Sequence, residues 1–429
     1  MSASSSPCTT EPLSCFALDD QLLNVDQARR TLLTLVETPL CHERVALPNA
    51  HGRRLAERII APIDVPQNTN AAMDGIALAW QPGQSRWPLV GRALAGVPFR
   101  ATLSAGECIT IATGAPLPAG ADTVIMREQL TQHDDDVVVS TPERVRTGQN
   151  VRRAGEDIAR GSVALDAGER LDAARLGFAA SLGVDEVTVY RRPRVAVFST
   201  GSEVTAPGEA LPEAGIFDAN RFTISGLLRE HGAEVVDLGI LPDCPATIRQ
   251  ALDQAAKKAD LVLTSGGVSM GQADYTREAL GALGKLAFWR VAMRPGKPLA
   301  CGWLGEARTP FVGLPGNPVA AMVAFLQFVA PLLGRLHDQP DPTPRRLTAA
   351  ADEALSGREG RCDFIRGVYS VSAGGQLTVR STGAQGSGIL ASMVDANCLI
   401  ELPDTCAAVS PGETVTIQPL RRDSSTTSP

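Results

Sequence analysis

The sequence has few aromatic residues and no surplus of basic ones. Phe, Trp and Tyr make up only 4% of the 429 residues, so the cores must be built mainly from Leu, Val, Ile and Ala. The formal net charge is −7, whereas a protein that binds nucleic acid is expected to carry a basic surface. We therefore predict no nucleic-acid partner. A local anion site remains compatible with this charge, because a pocket can carry a field opposite to that of the whole chain.

Metal-binding and disulfide patterns are also missing. The nine cysteines are scattered without a Cys-x-x-Cys pair and the five histidines are isolated, which argues against a zinc site and a disulfide framework. The first 20 residues lack the basic region and apolar core of a signal peptide. The longest apolar run, 319–333, is interrupted by Gln327 and Pro331 and is too short to span a bilayer. We predict a cytoplasmic protein with reduced thiols and no membrane partner.

Short apolar runs alternate with segments of helical spacing from residue 194 to residue 333. This alternation is typical of a parallel sheet covered by helices on both faces. The pattern predicts strands at 195–198, 234–239 and 260–264 and helices at 220–230, 245–257, 274–283 and 319–333.

The rest of the chain indicates three further domains. Residues 61–149 contain short alternating runs and predict a β-rich insertion, while helical spacing occurs on either side of it. Residues 340–344 form a proline-rich linker, beyond which short strands and Gly turns predict a small C-terminal β domain. Residues 1–17 and 422–429 are predicted to be disordered. The predicted domains are 18–60 joined to 150–190, 61–149, 191–338 and 339–421.

Carboxylates follow three of the predicted strands. Glu203, Asp243 and Asp274 each come shortly after a strand end, and the carboxyl ends of parallel strands share one edge of a sheet. Either aspartate alone is explained by its place at a helix start, where carboxylates are favoured. Three carboxylates at one edge beside phosphate-binding loops instead suggest Mg²⁺, which takes one or two of them together with substrate oxygens and water.

Glycines and cations at the same strand ends suggest an anion site. The loop at 265–271 is not a P-loop, since no Lys-Ser/Thr pair follows, but its backbone N–H groups could form an anion nest instead of a plain turn. Arg290, Arg294 and Lys297 could form a solvated face, yet flanking prolines stiffen this segment and its charges suit an oxyanion. No histidine is placed as a general base, so we expect metal-assisted, electrostatic chemistry.

Three other motifs carry little weight by themselves. Asp74-Gly75 is typical of a hairpin turn, Thr113 lies in what reads as a loop, and residues 152–157 read as a charged turn.

Together, however, seven motifs occur in order and closely resemble the bacterial MoeA family of molybdopterin molybdenumtransferases, which is related to the E domain of gephyrin. The resemblance covers about residues 20–420. Its motifs are NAAMDG at 70–75, ATGAP at 112–116, RRAGED at 152–157, STGSE at 199–203, SGGVSMGQADY at 265–275, RPGKP at 294–298 and GLPGNP at 313–318.

The resemblance implies a reaction in which molybdate displaces AMP from adenylyl-molybdopterin, with Mg²⁺ as cofactor. It implies a multidomain α/β plus β protein: a three-layer, parallel-sheet domain of the molybdopterin-binding type, a β-rich insertion, a barrel-like C-terminal domain and an elongated N-terminal mixed domain. It also implies a homodimer with its site between domain III of one subunit and domain II of the other, and contacts with a molybdopterin adenylyltransferase and with molybdoenzymes.

Site residues follow from matching motif positions. The catalytic set is Asp74, Thr113, Glu203, Asp243 and Asp274, with the metal assigned to Asp243, Asp274 and Asp157. The substrate- and anion-binding set is Arg152, Ser265, Gly266, Gly267, Ser269, Arg290, Arg294, Lys297, Pro315, Pro318 and Ser387.

Four positions depart from the family pattern. Arg290 and Arg294 stand where Lys is expected, Cys244 replaces an acidic residue and Ile76 replaces an aromatic one. Two alternative functions remain open. One is a molybdopterin adenylyltransferase, which typically needs only the α/β domain, and the other is a gephyrin-like scaffold.

Overall fold

The chain forms two compact units in a computed structural model that describes residues 22–133, 135–242, 244–266 and 281–420. One unit is His42–Val189, and the other combines the described residues up to Cys41 with those from Tyr190 onwards. Asp243, Gly267, Ser269 and Asp274 of the predicted site lie outside the described residues, as do the two predicted disordered ends and most of the helix predicted at 274–283.

The unit His42–Val189 is built on a six-stranded sheet. Its strands have side chains in two hydrophobic cores: Ile109 and Val124 are buried in one, and Ile76 and Trp87 in the other. All six strands fall within the segment predicted to be β-rich. In sheet order they are Thr123–Met126, Gly75–Leu78, Cys108–Ile111, Arg86–Ala93, Asp136–Val139 and Leu130–His133.

Segments on either side of this sheet pair with each other. The helix Ala173–Ser181 begins after Asp172, whose carboxylate accepts a hydrogen bond from the backbone N–H of Arg175 and caps the helix. The pairing supports the prediction that the chain after residue 150 returns to the region before the β-rich segment. The strand pairs are His42–Ala46 with Glu186–Tyr190, Ile59–Ile60 with Val163–Leu165 and Asn70–Ala71 with Val151–Arg152.

A seven-stranded sheet forms the centre of the other unit. Four strands that are neighbours in this sheet run parallel, as predicted: Thr309–Leu314, Leu261–Ser265, Arg194–Thr200 and Glu234–Leu241. The strand Pro298–Leu304 runs antiparallel to both of its neighbours, which the sequence pattern did not predict. Only four residues join it to the next strand, enough for a hairpin and too few for a crossover helix. The sheet order is Leu22–Leu23, Gly284–Val291, Pro298–Leu304, Thr309–Leu314, Leu261–Ser265, Arg194–Thr200 and Glu234–Leu241.

Helices cover both faces of this sheet, so the predicted three-layer architecture is confirmed. Along Arg194–Thr200, Val195 and Val197 join one core while Ala196 and Phe198 join the other. The first core packs against Asn220–Glu230, Pro318–Leu336 and Val25–Leu33, and the second against Pro245–Ala256. The predicted domain boundaries group Val25–Leu33 with residues 150–190. It lies on the sheet instead, where buried Arg29 donates to the carbonyl of Gln327.

The helix Pro318–Leu336 is longer than the apolar run predicted at 319–333. Its 19 residues are long and apolar enough to cross a membrane. The prediction that this apolar segment is too short to span a bilayer was therefore wrong. However, 72% of its most apolar window is buried inside the fold, as expected of a core helix. A π-helical turn, Phe325–Val329, lies in its middle and brings the Gln327 side chain to Gln418 of the C-terminal domain.

The C-terminal region forms a closed barrel of five strands, which confirms the barrel-like domain that the family resemblance implied. Cys362–Val371 closes it by pairing with both Leu377–Ser381 and Cys398–Leu402. The two-residue strand Met293–Arg294 adds to the barrel in parallel with Cys362–Val371. The other barrel strands are Leu347–Ala351 and Thr414–Pro419, and smaller elements are the helix Ala391–Asp395 and the strand pairs Leu355–Ser356 with Ala408–Val409 and Val204–Thr205 with Ile216–Phe217.

Candidate active site

Three parallel strands end side by side at one edge of the seven-stranded sheet. Ser199 is in register with Ser265, and Ser265 with Leu314. Gly266 has φ +86°, and a Cβ there would lie 3.2 Å from the carbonyl oxygen of Thr200. Glycine suits this position, because a side chain would be strained at this φ and tight against that oxygen. The edge therefore brings predicted residues Ser265 and Gly266 next to the turn that contains Pro315 and Pro318.

Asn220 ties these strand ends together. Its Nδ2 donates hydrogen bonds of 2.6 Å both to Oγ of Ser265 and to the carbonyl oxygen of Gly316. Sequence reasoning missed this residue, because an Asn that opens a helix is usually explained by the helix alone.

Buried Asp218 forms hydrogen bonds in the same region. Its buried carboxylate accepts a hydrogen bond of 3.1 Å from the Ser199 hydroxyl and one of 2.9 Å from Nε of Arg221. Arg221 also pairs with Asp237 on the neighbouring strand. A buried carboxylate needs such partners to offset its desolvation. No local sequence pattern distinguishes Asp218 from other acidic residues near a helix start.

Glu203 is the one predicted carboxylate of the sheet edge that falls among the described residues. It is exposed and lies just beyond Arg194–Thr200, with its carboxylate folded over Gly201: a Cβ at residue 201 would lie 2.7 Å from Oε2. Within the described residues, no three His, Cys, Asp or Glu side chains group as metal ligands would. The convergence of Glu203 with Asp243 and Asp274 stays a prediction, because both aspartates lie outside those residues.

The cationic turn, which comprises residues 294–298 and carries Arg294 and Lys297, lies against the start of the helix Pro318–Leu336. A Cβ on Gly296 would be 3.3 Å from the carbonyl oxygen of Ala320 and 3.7 Å from Cγ of Pro315. Lys297 and Arg290 are exposed. Nε of Arg294 lies 3.0 Å from Oδ1 of buried Asp363. The structure thus gives Arg294 an internal partner that the sequence analysis did not predict.

Two residues of the C-terminal domain reach this edge. Ser387 accepts a hydrogen bond of 3.0 Å from Nδ2 of Asn317 at its hydroxyl and one of 3.1 Å from the backbone N–H of Val319 at its carbonyl. Buried Arg366, which the sequence analysis missed, donates to Ser392 and to the carbonyl of Gly386. Burial, and then the neighbouring charge of Arg294, lowers the pKa of Arg366 to about 10.

The structure also joins Asp74 and Thr113 in the unit His42–Val189. Oδ1 of Asp74 accepts hydrogen bonds from the backbone N–H of Thr113 at 2.6 Å and from its hydroxyl at 2.8 Å. The backbone bond, followed by the hydroxyl bond, lowers the pKa of Asp74 below its usual range. Gly75 is required next to it, since a Cβ would lie 1.8 Å from the carbonyl oxygen of Ile125.

Arg152 and Asp157 are exposed residues of the same unit. Arg152 lies opposite Asn70 in a short strand pair. The side chain of Asp157 is exposed, and its backbone N–H donates to the carbonyl of Val65. These contacts are with backbone neighbours rather than with Asp74 or Thr113, so the roles assigned to Arg152 and Asp157 stay predictions.

A cavity of about 400 Å³ lies at the opposite edge of the seven-stranded sheet. Asp260 and Thr309, at the amino ends of two strands, line it together with Ala256 and Leu336 at helix ends. Ligands of open α/β sheets bind at the carboxyl ends of the strands, so we place the candidate site at the other edge.

Comparison with known proteins identifies the domain that contains this edge. The family model of a probable molybdopterin binding domain matches residues 196–335, which contain the central parallel strands. The fold and this match define a protein with an α/β domain of the molybdopterin-binding class. The MoeA N-terminal region (domain I and II) matches residues 23–183, and the MoeA C-terminal region (domain IV) matches residues 348–420.

Relatives match this chain over almost their whole length. The molybdopterin molybdenumtransferase of Haemophilus influenzae is 43% identical over 93% of this chain and 98% of its own length. That of Nostoc is 32% identical over 96% of both chains. The crystal structure of a molybdopterin biosynthesis moeA protein from Pyrococcus horikoshii OT3 superimposes with a TM-score of 0.80 at 28% identity, covering 93% of this chain and all of the other. The chain belongs to the MoeA family.

Proposed function

We propose that this protein is a molybdopterin molybdenumtransferase, which inserts molybdate into adenylyl-molybdopterin and releases AMP and molybdenum cofactor. One observation carries the proposal: the cationic turn of Arg294 and Lys297 lies against the turn that adjoins the strand ends at Ser265 and Gly266. Both substrates are anions that repel each other. Bringing them together requires charge neutralisation and positioning, and this edge offers groups for both.

Each part of the edge has a task in this reaction. The guanidinium of Arg294 and the ammonium of Lys297 bind oxyanion groups, Arg294 with paired donors and Lys297 as a point charge. Backbone near Ser265 and Gly266 accommodates the close approach of substrate. Ser387 and the turn at 315–318 form the wall on the C-terminal side.

Magnesium forms part of the proposal. Glu203 is exposed beside the strand ends and suits an oxygen-ligand ion, and Asp243 and Asp274 are the further proposed ligands. When bound, Mg²⁺ would offset phosphate and molybdate charge. We further propose a cytoplasmic homodimer, in which Asp74 and Thr113 of one subunit complete the site of its partner, and contacts with a molybdopterin adenylyltransferase and with molybdoenzymes.

Purified protein incubated with adenylyl-molybdopterin and Mg²⁺ tests the function. We expect AMP release that requires molybdate, and liquid chromatography measures the AMP. ATP consumption with molybdopterin would instead identify an adenylyltransferase, and no turnover in either assay would leave the scaffold role. Omitting Mg²⁺, or adding a chelator, should suppress AMP release if the metal proposal is correct.

A further inference from the structure

Asp363 is a buried carboxylate at the place where the barrel meets the cationic turn. It has no exposed surface and lies directly opposite Arg294 in the pairing of Met293–Arg294 with Cys362–Val371. Its Oδ1 is 3.0 Å from Nε of Arg294 and 3.8 Å from Nε of Arg361. Burial raises the pKa of Asp363, while the charges of Arg294 and Arg361 oppose that rise. Burying a carboxylate costs free energy, and the two cations nearest to it are both arginines.

The ion pair joins a buried carboxylate to a partly exposed cation. The side chain of Asp363 is 1% exposed, whereas the Arg294 side chain is 38% exposed. Neither carboxylate oxygen of Asp363 has a hydrogen-bond partner among the described residues, so its contact with Arg294 is an ion pair and not a directed hydrogen bond. A guanidinium is planar and presents its donors in a fixed fork, so fixing one edge orients the other.

Like charges are also held close together at this point. The charge of Arg294 acts on Arg366, which is itself buried and bound to Ser392. Two neighbouring cations with one carboxylate behind them leave a net positive site. This is the charge pattern expected around an anion.

We propose that Asp363 is a positioning residue that orients Arg294 for the incoming oxyanion. Its buried charge attracts the guanidinium from the inner side and leaves the exposed part of Arg294 for molybdate or phosphate oxygens. The inference rests on the proposed function. It also explains why an arginine is used at a position where the family resemblance leads one to expect lysine: an ammonium is a single point charge, whereas a guanidinium spreads its charge over three nitrogens and can lie between a carboxylate and an anion.

The direction in which Asp363→Asn changes anion affinity distinguishes a positioning role from a purely electrostatic one. Asp363→Asn removes a negative charge next to Arg294 and Arg366, so electrostatics alone predicts tighter binding of anions. Positioning predicts the reverse, because the freed guanidinium must be ordered by the ligand itself. We expect the KM for molybdate to rise about 10-fold with a change in kcat of less than about 3-fold.

The test compares wild type, Asp363→Asn, Arg294→Lys and the double variant in two measurements. Steady-state AMP release gives KM and kcat for molybdate, and isothermal titration calorimetry gives the affinity for molybdate and tungstate without turnover. Glu401→Gln is the matched control, because it removes another Arg–carboxylate pair of the same barrel, Arg346–Glu401, without changing a partner of Arg294. Circular dichroism checks folding of every variant.

The outcomes distinguish a positioning role of Asp363 from its absence. The inference predicts weaker binding in Asp363→Asn but not in Glu401→Gln, and a double variant no weaker than Arg294→Lys alone, because both single changes break the same contact. Unchanged or tighter anion binding in folded Asp363→Asn would overturn it, as would fully additive single effects. If wild type binds molybdate but releases no AMP, the proposed function fails while the calorimetric comparison still judges Asp363. If Asp363→Asn does not fold, Arg294→Lys must show the KM increase by itself.

Discussion

At the level of single residues, the site depends on contacts that sequence spacing does not reveal. Asp74 and Thr113 are 39 positions apart and lie in different motifs, yet two hydrogen bonds join them. Sequence patterns predicted Ser265 and Gly266 because a buried strand that ends in a Gly-Gly loop is a local signal. Asn220, Asp218 and Asp363 were missed because each looks like an ordinary polar residue, and only the fold supplies its partners.

The Asp74–Thr113 contact has a measurable pH signature. Because its donors lower the folded-state pKa of Asp74, the contact stabilises the fold above the unfolded pKa of about 3.9 and loses this contribution as pH falls through the folded value. Thr113→Val removes the hydroxyl donor but keeps the backbone one. We expect the pKa of Asp74 to rise part of the way towards its usual value in NMR titration of the carboxyl carbon. Thr110→Val is the control, and an equal shift in both variants would contradict the assignment.

At the level of helices and strands, the parallel part of the sheet was predicted well. The helix Asn220–Glu230 begins and ends where the pattern placed it, and Pro245–Ala256 differs by one residue. The hairpin formed by Pro298–Leu304 and Thr309–Leu314 was missed, because buried strands of either direction have the same continuous apolar pattern. Helix Val25–Leu33 was assigned to the wrong neighbours because amphipathic spacing shows that a face is buried but not what covers it.

The close approach of the strand ends gives a prediction about Gly266. Gly266→Ala introduces a side chain at φ +86° and places Cβ 3.2 Å from a backbone oxygen, so we expect a loss of about 2–3 kcal/mol and reduced AMP release. Gly232→Ala is the control: its φ is +80° but nothing lies within 4 Å, so only the conformational cost of about 1–2 kcal/mol applies. Urea unfolding measures both.

Equal losses for the two glycines, with full activity in Gly266→Ala, would show that the strand ends do not need this close contact. A larger loss at Gly266 alone would support the geometry of the edge.

For the molecule as a whole, composition limited the possible classes and the ordered motifs identified the family. The acidic net charge and the absence of zinc patterns in the sequence left a local anion site as the open possibility, and the structure places cations at the turn where the motifs indicated them. The assignment of Asp243 and Asp274 to the metal, the roles of Arg152 and Asp157 and the homodimer stay predictions. They depend on loops or on a second subunit, which local sequence patterns describe least well.

If the carboxyl edge of the sheet, with its cationic turn, is where molybdate reacts, a change at that turn must affect turnover far more than a change at the opposite edge. Molybdate-dependent AMP release should therefore be compared in Arg294→Ala and in Lys257→Ala, which removes an exposed cation at the cavity on the opposite edge. We predict a loss on the order of 100-fold for Arg294→Ala and wild-type turnover for Lys257→Ala. Wild-type turnover in folded Arg294→Ala would show that molybdate reacts elsewhere.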